Sequence, residues 1–257
     1  MFSNLSNTAY LNLLFALIIL VSTLASGYIP FRRRKQNEHT EFPIGETLAT
    51  GVFLGAALLH MLPDAQILFG KLGYEYPLAL LITGIVFLVF LWFEHIGEVL
   101  YHDHQGTKSH PAFAILAWFM LSFHSLVLGT ALGLSHEYSM QIMLFLAIVT
   151  HKWAESFAIA VQLNKSTLKP MVALSLFLSF ALMTPLGIGM GWYFGRDITS
   201  HSLIDPILMA ISAGTFLYLG TLHGLERCVM VQRCCNLRDF SYVIVGFVLM
   251  AAVAVLV

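Results

Sequence analysis

The chain has 257 residues, 58% of them hydrophobic and only 11% charged, with a formal net charge of −1. Soluble domains carry about a quarter charged residues, so this composition excludes a water-covered globule and requires lipid to face much of the chain. The near-zero charge supplies no basic field and argues against nucleic acid as a partner.

A run of about 20 apolar residues crosses the hydrocarbon core of a bilayer. Such runs fall near 9–30, 44–68, 77–101, 111–134, 140–163, 170–194, 205–227 and 239–257. They predict an all-α integral membrane protein with eight transmembrane helices in a single domain over 1–257. Met1 to Asn7 lacks the basic leader of a signal peptide, so the first run reads as a membrane span. Short polar breaks separate the runs, among them RRRKQNEHTE, GKLGYEY, HDHQGTKSHP and NKSTLKP.

Cytoplasmic loops carry the excess of lysine and arginine. The loops after spans 1, 3, 5 and 7 hold Arg32, Arg33, Arg34, Lys35, Lys108, Lys165, Lys169, Arg227, Arg233 and Arg238, whereas the opposite loops hold only Lys71 and Arg196. This asymmetry predicts that both termini are extracytoplasmic. Cys228, Cys234 and Cys235 then fall in a cytoplasmic loop, where reduced thiols are expected.

Four spans contain groups that lipid excludes. Span 2 carries His60, Pro63 and Asp64; span 4, His124 and Ser125; span 5, His151, Lys152 and Glu155; span 7, His223 and Glu226. Charged and imidazole side chains at membrane depth cost several kcal/mol unless they face a bundle interior or a water cavity. His151 and Glu155 are four residues apart and share one helix face. With His60 and His124 they offer three imidazoles and a carboxylate, ligand types that suit Zn²⁺ and also iron, copper or nickel. Lys152 sits about 100° around the helix from His151 and reads as a fixed cation beside that site. Pro63 and Pro185 each remove a helical hydrogen bond and favour a kink. Gly129 and Gly133, and Gly187 and Gly191, form small-residue stripes for close helix packing.

The segments FLGAALLHMLPDA, HSLVLGTALGL, HKWAESFAIAVQL, MTPLGIGMG and AGTFLYL resemble spans 2, 4, 5, 6 and 7 of the ZIP (Zrt-, Irt-like protein) divalent metal transporters, over essentially the whole chain. The resemblance implies that His124, His151 and Glu155 are metal ligands and that His60 occupies the span 2 ligand position. It places Ser125 and Lys152 at positions that complete a second metal site in some members. Lysine at 152 and threonine at 184 make that second site improbable here. The family's span 4 glutamate is replaced by Leu128, and His223 stands where a glutamate is common. The implied substrate is zinc or a related divalent cation, and the implied assembly is a homodimer.

The loop after span 3 holds His95, His102, His104 and His110 within sixteen residues, a composition that suits weak metal binding on the exit side. Asp64 at the end of span 2, with Glu98 in span 3, reads as a relay toward the cytoplasm. The RRRK cluster suits anionic lipid headgroups. Compact loops and a mass of 28.6 kDa favour a bacterial inner membrane over a eukaryotic plasma membrane. No GxxxxGK[ST] phosphate loop occurs, so transport would run on an ion gradient. The alternatives are a membrane-embedded zinc hydrolase, for which the familiar HExxH arrangement is missing, and a sensor that binds metal without moving it.

The predicted orientation has a direct check in the three native cysteines. A membrane-impermeant maleimide leaves them unlabelled in intact cells and labels them after permeabilisation; labelling of intact cells would reverse the topology.

Overall fold

A computed structural model describes residues 2–35, 42–100, 111–135, 137–194, 203–221 and 237–255. The described residues form nine α-helices: α1 (Phe2–Lys35), α2 (Pro43–Ala56), α3 (Leu62–Lys71), α4 (Leu78–Leu100), α5 (Pro111–Leu134), α6 (Tyr138–Lys165), α7 (Pro170–Phe194), α8 (Ile204–Tyr218) and α9 (Leu237–Ala254). Helices α2 and α3 belong to one span, joined by a π-helical turn at Ala57–Met61. The result is eight helical segments long and apolar enough to cross a membrane. Helices satisfy every backbone group internally, which the hydrocarbon core demands.

The spans expose large apolar side chains and bury small and polar ones. Along α4, Leu80, Ile85, Leu88 and Trp92 face outward, while Ala79, Thr83 and Glu94 are buried. Buried hydroxyls return to their own helix: Thr23 donates to the carbonyl of Ile19, and Ser156 to that of Lys152. Few hydroxyls reach across helices. Thr83 donates to the carbonyl of Ala210 at 3.0 Å and so ties α4 to α8.

Two helix pairs meet main chain to main chain through glycines on both sides. A side chain on Gly129 or Gly133 of α5 would strike the carbonyl of Thr184 or Ile188 on α7. Reciprocally, one on Gly187 or Gly191 would strike the carbonyl of Leu126 or Thr130. Gly51 and Gly246 make the same kind of seam between α2 and α9. Without a hydrophobic drive between helices in lipid, such close packing supplies much of the association. Trp118 reinforces the first seam by donating its indole N–H to the carbonyl of Leu176 at 2.8 Å.

The π turn explains the span 2 irregularity. Proline lacks an N–H and its ring crowds the carbonyl four residues earlier. The chain widens just before Pro63, so that the Leu62 N–H donates to the carbonyl of Ala57, five residues back. A helix bulge of this type recurs at functional sites. By contrast, α7 runs unbroken through Pro185. At the far end of span 2, Lys165 of α6 holds Glu46 at 2.8 Å.

The glycine seam yields a graded expectation. Gly187→Ala forces a methyl against the backbone of α5, a small-to-large change of the class that costs about 1–3 kcal/mol. Gly189→Ala, whose methyl would meet nothing within 4 Å, leaves stability nearly unchanged. Thermal unfolding in detergent separates the two, and equal melting temperatures would remove the seam from the account.

Candidate metal centre

Helices α5 and α6 bring His124, His151 and Glu155 together. Each offers one ligand atom, and the three atoms lie within 4.8 Å of one another. Helical spacing puts His151 and Glu155 on one face of α6, and α5 supplies His124 from the facing surface. The Nε2 atoms of His124 and His151 each stand 3.3 Å from the same Glu155 oxygen, Oε1. All three side chains are fully sealed, at 0% exposure.

The polar atoms of this triangle lack ordinary partners. Neither ring nitrogen of His124 or His151 forms a hydrogen bond, nor does Glu155 Oε1. Buried donors and acceptors are almost always satisfied, so an orphaned cluster calls for an explanation. A cation between them would satisfy two imidazoles and one carboxylate oxygen at once. Nitrogen and oxygen donors of this kind suit zinc and its neighbours.

The other Glu155 oxygen is occupied. Oε2 lies 2.9 Å from Lys152 Nζ and accepts a hydrogen bond from Ser125 Oγ at 3.2 Å. Lys152 also donates to Ser125 at 2.6 Å, and its ammonium sits 4.4 Å above the Phe180 ring. A buried ammonium is therefore held by a carboxylate, a hydroxyl and an aromatic face. It does not snorkel to an interface; it is 1% exposed. Nearby in sequence to Phe180, Thr184 is buried with no hydrogen-bond partner for its hydroxyl. Leu128, at the position where the resemblance expects a glutamate, packs into the apolar core at 8% exposure.

His60 lies outside this triangle. It sits in the π turn, and its Nδ1 is 2.8 Å from Asp64 Oδ2. Asp64 and Glu98, read from the sequence as a relay toward the cytoplasm, stand at different levels of the bundle. Residues Ala65 and Phe69 beside Asp64 pack against Leu78 and Ala79, where α4 begins, whereas Glu98 stands near its last turn. At about 1.5 Å per residue the two ends of α4 are roughly 30 Å apart, so the two acids do not share one end of the bundle. His102, His104, His110, His223 and Glu226 lie outside the described residues, as does the side chain of Glu98. His95 is described and is exposed.

The structure adds groups that spacing did not identify. Phe216 of α8 covers both imidazoles, with ring centroids 4.3 Å from His124 and 5.6 Å from His151. It falls within the AGTFLYL segment, but nothing in its residue type marks it as a wall of a polar site. Two residues on, Tyr218 donates to the buried Glu94 at 2.8 Å. Glu94 sits in an otherwise ordinary apolar run, and only its burial distinguishes it from an interfacial acid.

Comparison with known proteins points the same way as this geometry. Residues 102–254 match the family described as ZIP Zinc transporter, a stretch that includes α5 to α9 and the whole triangle. Over 93% of its length the chain is 28% identical to the mouse protein named zinc transporter ZIP2, covering 95% of that relative. It is 26% identical to zinc transporter ZIP1 of Takifugu rubripes over the same shares. Against human zinc transporter ZIP2, identity is 32% over 62% of this chain and 52% of the relative. A family match across more than half of the residues, centred on the helices that assemble His124, His151 and Glu155, makes this chain a member of the ZIP zinc transporter family.

Proposed function

We propose that this protein carries zinc, or a related divalent cation, across a cell membrane and into the cytoplasm through the His124–His151–Glu155 centre. The observation that carries the reading is the sealed triangle of unsatisfied ligand atoms in the middle of an apolar bundle. A sealed centre suits a state in which neither side has access. Alternating exposure by movement of one helix group against another would then open it to each side in turn. The ligands bind a cation only when deprotonated, so binding favours neutral imidazoles and an ionised carboxylate. His60, closer to water than the triangle, is the fourth ligand of this reading. As the resemblance implies, the unit in the membrane is a pair of copies.

Lys152 gives the centre its character. The carboxylate and the ammonium cancel, so an incoming dication meets a site with no net negative charge. That arrangement opposes a second ion and holds affinity down, which favours release over storage. The hydrolase alternative is not favoured, since the family to which the chain belongs is described as transporters.

Uptake of radiolabelled zinc into proteoliposomes tests the route. The double variant His124→Ala/Glu155→Ala falls to the level of empty liposomes, and accumulation equal to wild type would defeat the proposal. Lys152→Met removes the compensating charge. At an effective dielectric near 20, a unit charge about 4 Å away is worth up to about 4 kcal/mol, and screening and rearrangement reduce it. The expected outcome is zinc bound about tenfold more tightly in equilibrium titration, with slower turnover. Weaker binding would show that Lys152 supports the centre rather than restraining it.

A further inference from the structure

Asp64 is a carboxylate in an apolar span, and 40% of its side chain is exposed. Acidic side chains within membrane spans face the bundle interior or a water cavity, and this exposure assigns the Asp64 surface to water. Its neighbour His60 is 11% exposed, and the His124–His151–Glu155 triangle is closed. Accessibility thus falls in steps from Asp64 through His60 to the sealed centre. Asp64 and His60 are joined by the 2.8 Å contact to Nδ1, across the junction between the π turn and α3.

That contact determines which nitrogen of His60 is free. A carboxylate oxygen offers no proton, so this 2.8 Å approach favours the tautomer protonated on Nδ1. In a neutral imidazole the lone pair then resides on Nε2, which is the nitrogen available to a metal. Carboxylates hold metal-binding histidines in one tautomer and orientation in this way, and losing them costs about 10- to 100-fold in metal affinity. The π turn contributes by placing the pair beside Pro63, where the ordinary helical ladder is interrupted.

We infer that Asp64 is a positioning residue that presents Nε2 of His60 to the incoming cation at the water-accessible edge of the centre, rather than a carboxylate that binds and relays the ion itself. This inference rests on the transport reading for its kinetic readout and on geometry alone for its structural one. It separates two roles that one substitution series can distinguish. Asparagine at 64 keeps an oxygen that accepts the Nδ1 proton but loses the charge; leucine loses both.

Zinc uptake is measured for wild type, Asp64→Asn, Asp64→Leu, His60→Ala and His60→Ala/Asp64→Leu, with ¹⁵N NMR of the histidine tautomers in purified wild type, Asp64→Asn and Asp64→Leu. Asp64→Leu raises KM about tenfold with little change in kcat, as His60→Ala does. Asp64→Asn stays within about threefold of wild type, and the double variant is no worse than His60→Ala. The His60 signal reports the Nδ1-protonated tautomer in wild type and Asp64→Asn and a mixture in Asp64→Leu. If Asp64→Asn is as impaired as Asp64→Leu, or if the double variant is additive, Asp64 acts by its charge on the ion and the inference fails. An unchanged tautomer in Asp64→Leu overturns it as well. The NMR result does not depend on uptake, so a protein that moves no zinc but shows the tautomer switch defeats the transport reading and leaves the positioning role standing.

Discussion

Glu155 is the group around which the centre is arranged. A carboxylate with no exposure loses its hydration, and the cost of an isolated buried charge is several kcal/mol. The chain meets that cost asymmetrically. One oxygen is held by Lys152 and Ser125, while the other faces two imidazole nitrogens and has no hydrogen bond. Lys152 lies one helical turn before Glu155 and His151 four residues before it, so a single face of α6 carries cation, ligand and carboxylate. Of the polar groups recorded around the Glu155 carboxylate, His124 and Ser125, adjacent on α5, come from another helix. The ligand triangle therefore depends on the approach of α5 to α6.

That approach depends on packing remote from the polar groups. Helix α5 is locked to α7 through glycines that admit no side chain, and Trp118 adds a hydrogen bond to the same seam. Phe180 on α7 lies under the Lys152 ammonium, so the seam that positions α5 also positions the aromatic face beneath the cation. Phe216 closes the other side over both imidazoles. The polar centre and the apolar scaffold are thus coupled through two aromatic rings.

Much of this was legible in the sequence, for identifiable reasons. Lipid imposes long apolar runs, so the eight spans stand out from their polar breaks. Imidazoles and carboxylates inside such runs are conspicuous, and the four-residue spacing of His151 and Glu155 fixes their shared face. Other features depend on contacts between distant segments, which one-dimensional patterns do not carry. Leucine at 128 and phenylalanine at 216 look equally apolar in the sequence and both lie in the core, yet it is the phenylalanine whose ring roofs the imidazoles. Pro63 signals an irregular helix, but not that the irregularity is a π turn in the residues before it. The depth of Asp64 relative to Glu98 is likewise set by topology: adjacent spans run in opposite directions, so residues that end one span and end the next lie at opposite faces of the bilayer.

The two glycine seams also limit the ways in which the molecule can deform. Where backbone meets backbone there are no rotamers to exchange, and a slide along the seam drives a carbonyl into an α-carbon. Such a pair behaves mechanically as one body. Among the described residues, the α5–α7 and α2–α9 seams each join two of the eight spans in this way. One of these, α5 with α7, carries His124 and the ring beneath Lys152, whereas His151 and Glu155 ride on α6. The boundary that divides the ligands is therefore the one between α5 and α6, where the polar side chains of the centre themselves make the contact.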